Sequence, residues 1–204
     1  DYRRHFYAMV TGVDMAIGRV MDRLRENDML ENTLIIFGSD HGDQCGDHSM
    51  IAKGDHFYDE VMHMPWVMYW PAGFGGQSRR VSGLVEMVDM MPTLLELSGA
   101  PVPQVMMDRS YADALLSSEP CDTREDVFAY SGPGRAMLRT EDHKYIRYTD
   151  HATEVLYDLQ EDPGEMVNCA EDSAYADALA DLRDRMLSRS LDSSQSHLRR
   201  VYRY

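Results

Sequence analysis

The chain is poor in cysteine and has no long apolar run. Its 204 residues include three cysteines, Cys45, Cys121 and Cys169, and none lies in a C-x-x-C motif. An odd count without that spacing argues against a disulfide framework and against a thiolate zinc site, so we expect three unpaired thiols. No apolar run approaches the roughly 20 residues that a membrane-spanning helix needs.

Basic residues are also scarce, because 35 acidic side chains face 20 basic ones and the formal net charge is −15. Such a surface repels phosphate backbones and anionic lipids, so we expect neither nucleic acid nor a membrane as a partner. An anionic substrate stays possible, since a bound cation can invert the local field in a cleft. The opening residues "DYRRHFYAMVTGVD" begin without Met or a leader, and we expect a piece of a longer chain.

The first part of the chain alternates helical and strand patterns. Apolar residues at steps of three and four predict an amphipathic helix over 9–25 with one buried stripe, formed by Met9, Val13, Ile17, Val20 and Leu24. "TLIIF" (33–37) has the pattern of a strand covered on both faces, and "MPWVMYWP" (64–71) contains a second strand. A further helix is expected after Asp89 as N-cap, with Pro92 in its first turn. This order predicts an α/β sheet domain over 1–124.

The last part of the chain has a different character. "DVFAYSG", "RAMLRTEDHKYIRYT" and "EVLYDL" read as short strands of an antiparallel sheet. Residues 171–191 predict a helix with Leu179, Leu182 and Met186 on one face. We therefore expect a subdomain of antiparallel strands and a packing helix over 125–204. For its tail, 193–204, we expect a docked or frayed terminus.

The candidate site follows the "TLIIF" strand. Asp40 and His41 stand just beyond its carboxyl end, where α/β sheets collect functional groups. A carboxylate beside an imidazole suits a divalent metal. Lys53, twelve residues past His41, is either a solvated surface amine or a point charge that holds an anionic oxygen.

Other metal patterns in this region are weaker. His41, His48, His56 and His63 recur every seven or eight residues, but the spacing matches no compact zinc signature. The surrounding acids are expected to be solvated loop carboxylates, partners of the ligands, or helix caps; they are Asp43, Asp47, Asp55, Asp59 and Glu60.

Several segments together resemble the sulfatase family of the alkaline phosphatase superfamily. The longest is "VTGVDMAIGRVMDRLRENDMLENTLIIFGSDHGDQCGDHSMIAKGDHFYDEVMHMPWVMYWPAG", and "VEMVDMMPTLLELSGAPVP", "MLRTEDHKYI" and "LYDLQEDPGEMVN" follow it in the family's order. The resemblance covers nearly the whole chain and corresponds to the second half of the family's proteins. It implies the C-terminal half of an alkaline-phosphatase-like α/β sheet domain, followed by the small antiparallel subdomain.

The resemblance also implies roles for individual residues. Asp40 and His41 would be two ligands of a divalent metal, with Ca²⁺ favoured by family habit and Mn²⁺ or Mg²⁺ as alternatives. Lys53 would contact the sulfate or phosphoryl oxygens and stabilise charge as the ester bond breaks. Arg135 or Arg139 would help to select the substrate, although a surface salt bridge is the favoured alternative for both.

The chain departs from the family pattern in what it does not contain. The family's nucleophile is a formylglycine made within C-x-P-S-R, and the contexts of Cys45, Cys121 and Cys169 do not fit that motif. The paired aspartates of the family's N-terminal half are absent as well, so this chain alone is expected to lack the nucleophile and half of the metal ligands. His63 stands where the family commonly has Arg, which indicates a local packing change.

Three functions remain in competition. The first is hydrolysis of a small-molecule or saccharide sulfate ester by the whole protein. The second is hydrolysis of a phosphonate monoester or phosphodiester on the same fold. The third is an inactive chain that binds a ligand or a partner. The protein partners that we expect for this chain are the N-terminal half of the same protein or a second copy of the chain.

Overall fold

The computed structural model describes residues 1–76, 78–103, 106, 109–117 and 124–201, and it describes the side chains of the last helix as far as residue 193. The chain forms two compact units, residues 1–80 and residues 81–204. The domain boundary expected near residue 124 falls inside the second unit, and a division there stays a prediction.

The first unit contains three helices, a two-stranded sheet and a short hairpin. Its elements are α1 (Tyr2–Glu26), β1 (Ile35–Gly38), β2 (Gln44–Cys45), β3 (Ile51–Ala52), α2 (Asp59–Met62), β4 (Trp66–Tyr69) and α3 (Pro71–Phe74). Strands β1 and β4 are antiparallel, with Gly38 opposite Trp66. The Trp66 ring fills the space over Gly38, because a Cβ at that position would lie 2.6 Å from two ring carbons.

The predicted first helix is confirmed as α1, but the burial of its stripe is wrong. Met9, Val13 and Val20 are exposed, and only Ile17 and Leu24 of the stripe are half-buried. The periodicity of a helix follows from local spacing, whereas burial needs a partner. Among the described residues, no element covers this face enough to bury any residue of α1.

The expectation of a doubly covered β1 strand is wrong for the same reason. Ile35 and Ile36 are half-buried, and Phe37 is exposed. Within the described part of the chain, β1 has β4 as its one strand neighbour. An apolar run predicts the capacity of a strand to be buried, and the neighbouring elements determine whether burial occurs.

The second unit contains an antiparallel sheet and a long helix. Its elements are α4 (Met90–Leu97), α5 (Ala112–Leu116), β5 (Val127–Tyr130), β6 (Arg135–Arg139), β7 (His143–Tyr148), β8 (Thr153–Asp158) and α6 (Ala176–Val201). The strands pair in sequence order, β5-β6-β7-β8, and every pair is antiparallel. This confirms the antiparallel strands and the packing helix that the sequence predicts.

Helix α6 and the sheet share one apolar core. Its buried members are Leu138, Tyr145, Leu156, Leu179, Leu182 and Met186. The three α6 residues are the ones that the helical spacing places on one face. Each fully buried side chain of this size contributes about 1.5–3 kcal/mol, so this core anchors α6 to the sheet.

Asp89 lies at the predicted N-cap position of α4, but its side chain has a different role from capping that helix. It precedes α4 at the N-cap position, but its side chain makes no capping bond to that helix. Its Oδ2 instead accepts hydrogen bonds from the Glu86 amide at 2.9 Å and from Arg124 Nε at 2.7 Å. The Arg109 amide donates to Oδ1 at 3.0 Å. Asp89 is buried, and these donors balance the cost of burying its charge.

A second charged cluster joins β8 to α6. Glu154 accepts hydrogen bonds from Arg183 Nε at 2.8 Å and from the Tyr145 hydroxyl at 2.5 Å, and Arg147 Nη1 lies 2.7 Å from the same carboxylate. These donors, Arg183 foremost, hold the pKa of Glu154 at about 2, below its usual 4.5. The sheet and the helix are therefore joined by an ion cluster beside their apolar core.

Both units contain helices and antiparallel strands, which confirms the α/β class that the sequence predicts. No helix within the described ranges is both long enough and apolar enough to cross a membrane.

Candidate active site

The residues after β1 form a tight turn that presents Asp40 and His41. The Ser39 hydroxyl donates to the backbone oxygen of His41 at 2.7 Å, and the His41 amide donates to Asp40 Oδ1 at 3.1 Å. These two local bonds close the turn directly after Gly38, as the polar residues at this position favour. The end of the strand thereby determines where the two side chains lie.

Lys53 lies beside the turn that carries Asp40 and His41. Its Nζ is 3.0 Å from His41 Nε2, and Asp40 Oδ2 is 3.8 Å from that same nitrogen. Sequence separation alone leaves the position of Lys53 open. The structure thus brings together the three residues to which the resemblance assigns the chemistry.

The tautomer of His41 follows from its contacts. His41 Nδ1 lies 2.8 Å from the backbone oxygen of Gly42, and a carbonyl oxygen can only accept, so Nδ1 carries the proton. Nε2 therefore keeps its lone pair when the ring is neutral and accepts from the Lys53 ammonium. A metal-binding histidine is held in the same way, with one nitrogen donating to a carbonyl and the other free to coordinate.

Gly42 allows the turn to lie close against α2. Its amide donates to Val61 O at 2.8 Å. A Cβ at this position would lie only 1.9 Å from the backbone oxygen of Glu60. Only glycine fits against a backbone at that distance, so Gly42 is required by the close approach.

The hairpin between the turn and Lys53 is held by the start of α1. Arg3 Nε donates to Cys45 O at 2.5 Å, and Arg3 Nη2 donates to Asp47 Oδ1 at 3.1 Å. The Tyr2 hydroxyl donates to Asp43 Oδ2 at 3.2 Å. Asp43 and Asp47 are thus loop carboxylates with structural partners. The sequence does not predict the role of Arg3 in holding this hairpin, because its partners lie more than 40 residues away along the chain.

The four recurring histidines do not gather. His48 stacks on Tyr58 with ring centroids 3.7 Å apart, while His56 is tilted against the same ring at 5.9 Å. His63 follows α2, where its amide donates to Asp59 O at 2.8 Å. Among the residues that the structure describes, no three His, Cys, Asp or Glu side chains form a group able to hold a metal ion.

The donor chemistry of Asp40 and His41 nevertheless suits part of a divalent-metal site. Asp40 Oδ2 and His41 Nε2 lie 3.8 Å apart, and the ring has the tautomer that coordination needs, although Nε2 would have to exchange its hydrogen bond from Lys53 for a metal. Two donors are fewer than the six or more that Ca²⁺ prefers. The pair therefore fits at most one side of a metal site, and a complete site would need further donors.

The site is open to water. The Asp40 side chain is 85% exposed, and the neighbouring Phe37 is exposed as well. The apolar strand β1 does not shield the site from water, because within the described residues it has little cover. Charges in this environment interact through a high effective dielectric, and their mutual attraction is correspondingly weak.

The described cysteines have no features of a nucleophile. Cys45 and Cys169 are free thiols. Burial and then nearby aspartates raise the pKa of both thiols, which disfavours the reactive thiolate. Cys121 lies outside the described residues. The expectation that none of the three cysteines supplies the nucleophile stays a prediction, and the raised pKa values support it for two of them.

Arg135 and Arg139 have local partners in the second unit. Arg135 Nη2 lies 3.5 Å from Asp150 Oδ2, and Arg139 Nη1 donates to Thr140 O at 3.4 Å. The contact of Arg135 agrees with the salt-bridge alternative that the sequence favours. A role of either arginine in substrate selection stays a prediction.

Comparison with known proteins agrees with this fold. A family model described as N-sulphoglucosamine sulphohydrolase, C-terminal, matches residues 46–192. Arylsulfatase K of Canis lupus familiaris is 34% identical over 185 residues, which cover 83% of this chain and 34% of that protein.

Two solved structures are similar over most of the chain. One is a complex with its substrate D-glucosamine-2-N,6-O-disulfate; it has a TM-score of 0.79 and 29% identity, and covers 91% of this chain and 40% of its own. The other is the phosphonate monoester hydrolase of Agrobacterium radiobacter, with a TM-score of 0.81, 30% identity and coverage of 93% and 41%.

These likenesses define a chain of the alkaline phosphatase superfamily. Within that superfamily the chain belongs to the sulfatase family, and it covers the C-terminal portion of the family's proteins. It spans between about a third and about two fifths of the length of the relatives named above. Sulfatases generally use a divalent metal and a formylglycine.

Proposed function

We propose that the whole protein is a metal-dependent sulfatase that hydrolyses a sulfate ester. The observation that carries this proposal is the approach of Lys53 Nζ to His41 Nε2 at 3.0 Å, beside Asp40 at the end of β1. The similarity to arylsulfatase K supports the reaction class. The neighbour that binds a disulfated glucosamine supports a sulfated saccharide as the substrate class.

Each residue has one part in this proposal. Asp40 and His41 would hold one side of a divalent cation, for which His41 Nε2 would give up its hydrogen bond from Lys53. Gly42 O keeps the His41 ring in the coordinating tautomer. Lys53 provides a positive charge beside the oxygens of the sulfate group and stabilises the negative charge present as the ester bond breaks. A bound cation supplies Lewis acidity to that reaction.

We infer that Ca²⁺ is the metal, with Mn²⁺ and Mg²⁺ as alternatives. Family habit favours Ca²⁺, while an imidazole donor is more usual for Mn²⁺. The formylglycine nucleophile and the remaining metal donors are expected from a part of the protein outside this chain. Calorimetric titration of the whole protein with the three ions separates the metals.

The direct test is a pair of substitutions in the whole protein. Asp40→Ala is expected to abolish metal binding, measured by calorimetry, and turnover of an aryl sulfate. Lys53→Ala is expected to keep the metal and to lower turnover by about 100-fold, the size of effect typical for the loss of one charge-stabilising donor. The control is His151→Asn, which removes an exposed ring in the second unit.

The results separate the parts of the proposal. Normal metal binding by Asp40→Ala would remove Asp40 from the ligand set. Unchanged turnover by Lys53→Ala would remove Lys53 from the chemistry. A whole protein that cleaves no sulfate ester, although its formylglycine is formed, would exclude the sulfatase assignment and favour the inactive binding chain.

A phosphorus ester is the second candidate, favoured by the similarity to the phosphonate monoester hydrolase. Sulfate, phosphate and phosphonate esters present similar tetrahedral oxyanions to a lysine and a metal. Rates on matched aryl sulfate and aryl phosphonate substrates discriminate the two, and a higher kcat/KM on the phosphonate would overturn the primary assignment.

A further inference from the structure

The segment that leads to Lys53 has an unfavourable backbone. His48, Ser49 and Ala52 have φ values of 51°, 59° and 62°, all in the left-handed region. None of the three is glycine, and the Cβ of an L-residue makes that region costly. Such conformations persist only where surrounding contacts hold them, and they concentrate at functional sites.

The His48 side chain provides that contact. Its ring stacks on Tyr58 with a centroid distance of 3.7 Å and an interplanar angle of 14°. The side chain is 9% exposed, and its Nε2 lies 3.8 Å from Glu60 Oε2. Tyr58 immediately precedes α2, and Glu60 lies in its first turn. The strained segment is therefore attached to the start of α2 by a buried ring.

The same short stretch of chain also braces the turn that holds His41. Gly42 donates its amide to Val61 O and lies against the backbone of Glu60. Residues 58–61 thus hold the loop at its beginning, through Gly42, and in its middle, through His48. Lys53 follows His48 by five residues and returns to His41.

We propose that His48 is a positioning residue for Lys53: its stack on Tyr58 holds the strained loop so that the Lys53 amine stays beside His41. This inference rests on the proposed function, because it assumes that Lys53 acts on the substrate. The role is distinct from metal binding, since the His48 ring faces Tyr58 and Glu60. It is also more specific than a contribution to folding, because the effect reaches the reaction through Lys53.

The test uses the whole enzyme and a double-mutant cycle. His48→Asn removes the ring and inserts a residue type that tolerates left-handed backbone, so it isolates the stack. We expect kcat to fall by about tenfold to a hundredfold, as misplacement of a group by about 1 Å does, while KM changes much less. Tyr58→Phe keeps a flat ring beneath His48 without changing the residue at the left-handed position, and it is expected to retain most of the activity.

The cycle is completed in a Lys53→Ala background. If His48 acts through Lys53, the double variant is no slower than Lys53→Ala alone, because coupled residues are not additive. The control His151→Asn is expected to leave kcat and its ratio to KM unchanged. If His48→Asn does not fold, as judged by circular dichroism, Tyr58→Leu removes the stack from its other side and replaces it in the cycle.

The possible failures are distinguishable. A whole protein that cleaves no sulfate ester contradicts the proposed function, whereas an unimpaired Lys53→Ala enzyme removes Lys53 from the chemistry and with it the basis for this inference. An impaired Lys53→Ala enzyme to which the His48 substitution adds its full loss contradicts the positioning role alone. Equal losses in Tyr58→Phe and His48→Asn would show that the stacked rings do not position Lys53, and would also overturn the inference.

Discussion

Glu154 shows how a single carboxylate couples the sheet of the second unit to α6. Arg183 first, and then Tyr145 and Arg147, hold its pKa at about 2. A carboxyl whose folded pKa lies below its unfolded value adds stability at pH values above the unfolded pKa. That contribution is lost as the pH falls from about 4.5 to about 2. After allowance for the half-exposed Arg183, it amounts to about 2 kcal/mol.

We therefore expect Glu154→Gln to lower the free energy of unfolding at pH 7 by about 2 kcal/mol. The deficit should shrink as the pH falls towards 2, because the wild-type carboxyl then becomes protonated too. Urea titrations of the chain at a series of pH values measure both effects. Glu171→Gln, at an exposed position, is the control. A deficit that is the same at every pH would point to lost packing instead of lost charge.

Residue identity predicted part of the candidate site. Asp40, His41 and Lys53 were assigned from the resemblance, and the structure places them together. The left-handed backbone at His48 had no sequence signal, because such conformations are usually marked by glycine or asparagine. In the sequence, His48 stands out only as one of four histidines whose spacing matches no zinc signature. Its stack on Tyr58 depends on the fold of the loop, so the sequence does not predict it.

At the scale of elements, the contact between the turn of Asp40 and His41 and helix α2 depends on the absence of a side chain at Gly42. Gly42→Ala would place a Cβ 1.9 Å from the backbone oxygen of Glu60, which cannot move as a flexible side chain can. Overpacking of this kind costs about 1–3 kcal/mol. We expect lower stability of the first unit and, in the whole enzyme, reduced turnover.

Gly12→Ala is the matched control for this substitution. Gly12 lies within α1, and nothing lies within 4 Å of the position that a Cβ would take there. Alanine there should raise helix stability by about 0.5–1 kcal/mol. Thermal unfolding of both variants gives the comparison. If Gly42→Ala proved as stable and active as the wild type, the close approach to α2 would not constrain the turn.

The elements themselves were more predictable than their surroundings. Leu179, Leu182 and Met186 were correctly assigned to the buried face of α6, because an apolar sheet covers that face. The identical reasoning failed for Met9, Val13 and Val20 in α1. Periodicity identifies a face, and only the tertiary structure determines what covers it.

At the scale of the whole molecule, the exposed stripe of α1 contrasts with the net charge of −15. Contiguous apolar surface promotes association, whereas a high net charge of one sign opposes it. We expect the chain on its own to bind the dye ANS and to self-associate at moderate salt, where charge repulsion is screened.

Replacing Val13 and Val20 with lysine should reduce dye binding and association, because both side chains are exposed on α1. Val167→Lys, at an exposed position of the second unit, is the control and should have little effect. Sedimentation velocity and ANS fluorescence provide the measurements. A monodisperse wild-type chain that does not bind the dye would contradict this expectation.

The location of Trp66, which packs over Gly38 in the first unit, has a practical consequence for spectroscopy. The chain contains two tryptophans, and both Trp66 and Trp70 belong to the first unit. Emission excited at the red edge of the indole band therefore originates from residues 1–80, which include the Asp40 turn, while the second unit is silent at that wavelength. Loss of that signal, compared with the helical dichroism of the entire chain, reveals whether the two units melt together or in succession.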